Sequence, residues 1–170
     1  MHATLILRIL LETFGGIEMK PKIPRPKKFD DLKFQSLINS LTPYMDGKKF
    51  EKLCQPIVSF ILTEYEHFER VIKGPNFQGT PFDFLGFKAG RPYIIEFKGS
   101  LESFNTPGET QKNRLKEILA EIKGLHIALI QVKLRKAEYR MFYYEQMPLL
   151  FEGEKAPIQP IIDWVKKHII

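Results

Sequence analysis

The chain has 170 residues, 44% of them hydrophobic and 27% charged. That composition is globular, excludes wholesale disorder, and leaves room for one ordinary domain or one domain with a short appendage. A single cysteine, Cys54, excludes a disulfide framework or a cysteine-rich zinc site and favours a reducing, cytoplasmic (intracellular) setting, while no apolar run approaches the ~18 residues that a membrane span needs. The formal charge of +6 comes from 26 basic and 20 acidic residues. Much of it sits in KPKIPRPKK, Lys20 to Lys28, which holds five basic residues, three prolines and no acid, so the rest of the chain is nearly neutral.

In chain order, residues 4–14 have the pattern of a short apolar helix ended by Gly15-Gly16. Arg8 interrupts its apolar stretch and no small-residue cleavage site follows, which argues against a signal peptide. The basic arm 20–28 reads as a stiff, solvated linker or as a segment that tracks a phosphate backbone. Phe29, Leu32, Leu37 and Leu41 predict a helix stopped before Pro43. Phe50, Leu53, Cys54, Ile57, Ile61 and Phe68 predict a long amphipathic helix over 50–71, with Pro56 as a kink or a later start. The period then changes. Gly74-Pro75, Gly79 and Gly90 punctuate two or three short antiparallel strands, with 82–87 and 92–98 as arms of a hairpin turning at Ala89-Gly90.

Thr106-Pro107-Gly108-Glu109 reads as a capping box opening a helix over 107–123, which Gly124 ends. HIALIQVKL, 126–134, predicts a strand covered on both faces, 138–145 another strand, and 160–169 a closing amphipathic helix that tucks in Trp164. The expected fold is α/β, a mixed sheet between helices. It divides into an N-terminal region 1–49 carrying the basic arm, a core 50–147, and a C-terminal helix, 148–170, packed on that core.

Three charged residues fall on the hairpin arms. If Lys88 pairs with Arg91 around the turn, Asp83 stands directly opposite Glu96, and Lys98, two residues on, shares their face. Phe82, Phe84, Ile95 and Phe97 would then form the opposite, core-facing side. Side-by-side carboxylates repel unless something compensates, and a divalent cation held by two carboxylates and waters is the natural compensator. A lysine beside them could orient or deprotonate an attacking water, or neutralise charge on a transition state. These groups suit metal-assisted hydrolysis of a phosphodiester. The bland alternative is a surface salt bridge of Lys98 with Glu96 or of Lys88 with Asp83, against which the apolar context PYIIEFKG counts.

Asp83 followed by Glu96-Phe97-Lys98 resembles the active-site signature of the PD-(D/E)XK nuclease superfamily, which has a restriction-endonuclease-like α-β-β-β-α-β core. The resemblance covers about 50–134 and departs in one respect, because Phe82 separates Pro81 from Asp83. The tripeptide alone is unspecific: D/E-x-K occurs five times, at Glu18, Asp31, Asp46, Glu96 and Glu121, and only the Glu96 copy follows an apolar strand with an acid across a hairpin. The resemblance implies Asp83 and Glu96 as ligands of Mg2+ (Mn2+ as substitute) and Lys98 as a catalytic group. It also implies an acid on the first core helix. At 100° per residue Glu64 lies within the apolar stripe, Glu66 points away and Glu69 sits at its edge, so Glu64 is the expected third metal residue and Glu69 its competitor. A glutamine on the following helix is similar to the glutamine motif of VRR-type members, which makes Gln111 a candidate catalytic residue.

The function implied is a metal-dependent deoxyribonuclease acting on DNA, in which a symmetric homodimer would suit the cutting of two strands. The alternative is a catalytically inactive nucleic-acid-binding or assembly subunit of the same fold. Lys112, Arg114 and Lys116, with Lys133, Arg135 and Lys136, are candidate backbone contacts or solvated faces. His67 has no second ligand at metal spacing, and Cys54 reads as core packing.

Overall fold

The computed structural model describes residues 23–105, 107–144 and 158–170. The expected helix at 4–14, the start of the basic arm and Thr106 lie outside them. A six-stranded mixed sheet has helices on both faces. Its strands are β1 (Lys27–Lys28), β2 (Arg70–Lys73), β3 (Phe84–Lys88), β4 (Arg91–Ser100), β5 (His126–Lys133) and β6 (Glu138–Tyr144), arranged β1-β6-β5-β4-β3-β2. The helices are α1 (Gln35–Ser40), α2 (Gly47–Phe60), α3 (Glu109–Glu121) and α4 (Gln159–Ile169). β4 and β5 are parallel and every other pairing is antiparallel. A parallel pair needs a crossover, and α3 supplies it. Among the described residues no helix is long and apolar enough to cross a membrane.

Both faces of the sheet are buried, which explains why β4 and β5 read as almost continuous apolar runs. On one face Phe50, Cys54, Ile57 and Ile61 from α2 and its extension pack on Ile95, Phe97, Ile130 and Tyr139. Phe29, Ile38 and Leu41 join the same cluster, so the described part of the N-terminal region shares the main core. On the other face Leu115 and Ile118 of α3, Ile122 just after it, and Ile161, Ile162 and Val165 of α4 cover Leu85, Ile94 and Ile127.

Several elements differ from expectation for identifiable reasons. The arm reaches the sheet, where Lys27 and Lys28 pair with Tyr139 and Glu138 as a short edge strand. α2 starts at Gly47 rather than at 50, because Asp46 caps it, accepting the backbone N–H groups of Lys48 and Lys49 at 2.7 and 3.3 Å. It runs through Pro56 and passes into a π-helical turn, Ile61–Tyr65, instead of continuing to 71. The expected helix over 29–41 shortens to a 3-10 turn, Leu32–Phe34, and α1. The residue flanking α3 is Gly108, which has no side chain to cap with, in place of the expected capping box. Phe82 precedes β3 and departs from the strand alternation, so it packs with the α3–α4 cluster and Trp164 rather than beside Phe84.

Candidate active site

The β3–β4 hairpin closes on two residues. Ala89 and Gly90 both have positive φ, 50° and 71°, as a type I′ turn requires, and its twist matches that of the strands. Lys88 pairs with Arg91 and Phe84 with Ile95, without a bulge. The ladder ends at that pair, and Asp83, one step before Phe84, brings its carboxyl against that of Glu96. Its backbone is held twice: its N–H donates to the Ile95 carbonyl at 2.9 Å, and its own carbonyl accepts the Gly74 N–H at 2.7 Å. A methyl group at Gly74 would lie 3.0 Å from that Asp83 oxygen, so the close approach depends on glycine. The Asp83 carboxylate accepts the Phe97 N–H through Oδ2 at 2.8 Å, which aims it along β4 toward Glu96.

Glu96 is only 3% exposed. Its Oε1 receives the Lys98 ammonium at 2.9 Å, and its carboxyl also bonds the Gln111 and Asp83 side chains. Burial, and then the charge of Asp83, outweigh Lys98 and Gln111 and push the Glu96 carboxyl up to about 9. At neutral pH Glu96 is thus protonated, and its contact with Lys98 is an ammonium-to-carboxyl hydrogen bond rather than a full ion pair. Burial likewise raises Asp83 above the ordinary aspartate value, although the Phe97 N–H, Glu96 and Lys98 all pull the other way. For Lys98, burial opposes the charged form, but Glu96, with Glu51 and Asp83 behind it, reverses the balance and raises it. Lys98 therefore stays an ammonium at neutral pH, which suits it to neutralising charge and not to taking a proton. A buried pair of this kind is not the exposed hairpin salt bridge of the bland alternative.

Gln111, in the first turns of α3, donates through Nε2 to the Pro81 carbonyl at 2.9 Å as well as bonding Glu96. It ties the helix to the segment leading into Asp83 and holds the Glu96 carboxyl in place. Among the residues expected at the site, Asp83, Glu96, Lys98 and Gln111 are thus together.

Glu64 is not with them. α2 leads through a short connection into the start of β2, whose far end, Lys73, pairs with Phe84 beside Asp83. The C-terminal end of the helix therefore lies at the opposite end of the strands from the site, and Glu64, there, is exposed. The acid at the correct end is Glu51, thirteen residues earlier and ~20 Å away along the axis. Burial, then Asp83, raises its proton affinity, with Lys98 opposing. Its position was marked in the sequence, since Glu51 precedes Cys54 and Val58 at helical spacing.

Glu69 belongs to the other end too, where its carboxylate accepts the Ala89 N–H at the hairpin tip, 3.0 Å away. Glu66, expected to point away, is instead buried at 3% exposure. It accepts Lys27 Nζ and the Tyr139 and Tyr143 hydroxyls, each at 2.7 Å. The π turn breaks the 100° rotation on which the expectation rested. Burial alone would raise Glu66, but these three donors hold it below the usual carboxylate range.

Gln131 was also missed. It neighbours Lys98 across β4 and β5, is buried, and donates to the Asn105 carbonyl. Its signal was a lone polar residue within HIALIQVKL. Among the candidate backbone-contact residues, Arg135 pairs with Glu102 at 3.0 Å, and Lys133 lies over the Phe104 ring at 4.1 Å.

The donors at the site are hard oxygens, Asp83 and Glu96 side by side with Glu51 near them. Among the described residues no group of three or more His, Cys, Asp or Glu side chains converges closely enough to enclose a metal ion. The arrangement can therefore offer two carboxylates directly, leaving further positions to water, which is the usual manner of holding Mg2+. No family model matches the chain, and no curated protein matches it significantly in sequence.

Proposed function

We propose that the protein is a metal-dependent nuclease that hydrolyses DNA phosphodiester bonds. The observation that carries this reading is the contact of half-buried Asp83 with buried Glu96 at the open end of the β3–β4 hairpin, with Lys98 fixed against Glu96. Two facing carboxylates whose proton affinities are both raised suit a site that exchanges a proton for a divalent cation. The element order from α2 to β5, helix, three strands, helix, strand, supports a restriction-endonuclease-like core.

In this reading Asp83 and Glu96 would hold Mg2+, or Mn2+ in its place, and Glu51 would contribute through water. The bound cation would supply Lewis-acid polarisation of the scissile phosphate and acidify a water at neutral pH. The Lys98 ammonium neutralises charge building on the non-bridging phosphate oxygens. Gln111, bonded to Glu96 and the Pro81 carbonyl, keeps the carboxyl pair in register with α3.

The test is a cleavage assay on linear duplex, single-stranded, flapped and four-way-junction DNA, with Mg2+, Mn2+ or EDTA. Cutting that requires the cation supports the nuclease. Binding without cutting of any substrate would favour the alternative of an inactive binding or assembly subunit.

A further inference from the structure

Beside the carboxylate pair lies a cleft of about 650 Å³ whose walls include Asp83 and Glu51 but also Lys48, Lys52, Lys73 and Phe77. Lys48 and Lys52 stand one turn apart on α2 with Glu51 between them, and Lys73 closes β2 from the opposite wall. All three lysines are exposed, and none has an acidic partner within ion-pair distance among the described residues. Three cations thus line the same cleft as the two acids.

The loop at the mouth of the cleft is shaped to present an aromatic ring. The Thr80 N–H and hydroxyl both bond the Phe77 carbonyl, at 3.2 and 2.9 Å. Gly79, with φ of 77°, takes the third position of that turn, where glycine is favoured. Phe77 is left 46% exposed, with no ring or cation against it among the described residues. Phe104, the other aromatic beside the site, has by contrast both Lys133 and Arg140 against its ring, each at 4.1 Å.

Unpaired lysines along a groove, with a free aromatic ring among them, are the usual means of holding single-stranded nucleic acid: phosphates to the cations, an unstacked base on the ring. A duplex keeps its bases stacked inside and has none to offer Phe77. We propose that this cleft binds an unpaired strand, a single-stranded end or flap, and feeds it to the carboxylate pair. Phe77 stacks one base, and Lys48, Lys52 and Lys73 hold the flanking phosphates. This inference rests on the nuclease reading for its biological sense, but the binding it describes can be measured without cleavage.

The experiment is fluorescence anisotropy of the full chain in EDTA, with labelled oligothymidylate, oligouridylate and a blunt DNA duplex. We expect the single strands to bind more tightly than the duplex, with the two oligonucleotides showing whether the sugar matters. Phe77→Ala should weaken single-strand binding about tenfold, as loss of one stacked base does, and leave duplex binding unchanged, while Phe77→Trp restores it. Lys73→Ala should lower the slope of log affinity against log salt by about 0.7, one phosphate contact on a single strand. Tighter duplex binding, or equal single-strand affinity for wild type and Phe77→Ala, would overturn the inference even if the protein cuts DNA. Phe77-dependent single-strand binding without Mg2+-dependent cleavage of any substrate would uphold it and remove the nuclease reading.

Discussion

Replacing Glu96 by glutamine should remove a pH-dependent loss of stability that the metal-free wild type shows on the alkaline side of neutrality. The Glu96 carboxyl is raised to about 9 in the folded protein, chiefly by burial and then by Asp83, from the ordinary 4.5. Between those values the folded state carries a proton that the unfolded chain has released. Stability from this group is complete below about 4.5 and falls as pH climbs toward 9. At 1.36 kcal/mol for each pH unit, the loss between about pH 6 and pH 9 is roughly 4 kcal/mol. In a domain of this size that corresponds to roughly 10 °C in melting temperature. The assay is a thermal melt in EDTA across that range, for wild type and Glu96→Gln. Glutamine keeps the shape and cannot ionise, so its melting temperature should stay nearly level where that of the wild type falls. Mg2+ should stabilise the wild type more at about pH 9 than at pH 6, because it binds the ionised pair. Parallel curves for the two proteins in EDTA would refute the placement of Glu96 as a buried, neutral acid.

Other consequences concern particular side chains. Glu51→Gln should lower Mg2+-dependent cleavage about tenfold or more, through loss of a charge beside Asp83, whereas Glu64→Gln should leave the rate unchanged; single-turnover rates decide between them. Glu66→Ala removes the acceptor for Lys27, Tyr139 and Tyr143; leaving those donors unsatisfied should cost about 3 kcal/mol, read as a lower urea midpoint with an unchanged slope. Gly74→Ala presses a methyl group on the Asp83 carbonyl; it should lower cleavage more than it lowers the melting temperature, since it displaces the Asp83 backbone.

The hairpin was legible because its geometry is local. A two-residue turn and the period of a strand fix the ladder as far as Phe84 and Ile95 and put Lys98 on the face of Glu96; Asp83, just beyond that ladder, reaches Glu96 through its side chain. Gln111 was legible through the resemblance, and the first turns of α3 carry it to Glu96 and the Pro81 carbonyl. Glu64 failed because the stripe of a helix gives a face and not a direction. Only the pairing of β2 with β3 reveals that the N-terminal end of α2, with Glu51, is the end at the site. Glu66 failed because five residues of π-helix alter the rotation per residue, and nothing in ILTEY announces that change. Lys27 and Lys28 read as linker because a two-residue edge strand exists only by virtue of its neighbour β6.

The central claim is that Asp83 and its partners cut a phosphodiester, and its most direct test is single-turnover cleavage in Mg2+ by wild type and Asp83→Asn. The substitution keeps the shape of the side chain and removes its charge. The account predicts a loss of at least about 100-fold, as for a group aimed at transition-state charge, in a protein that melts normally and still binds DNA. Cleavage at the wild-type rate by Asp83→Asn would contradict it.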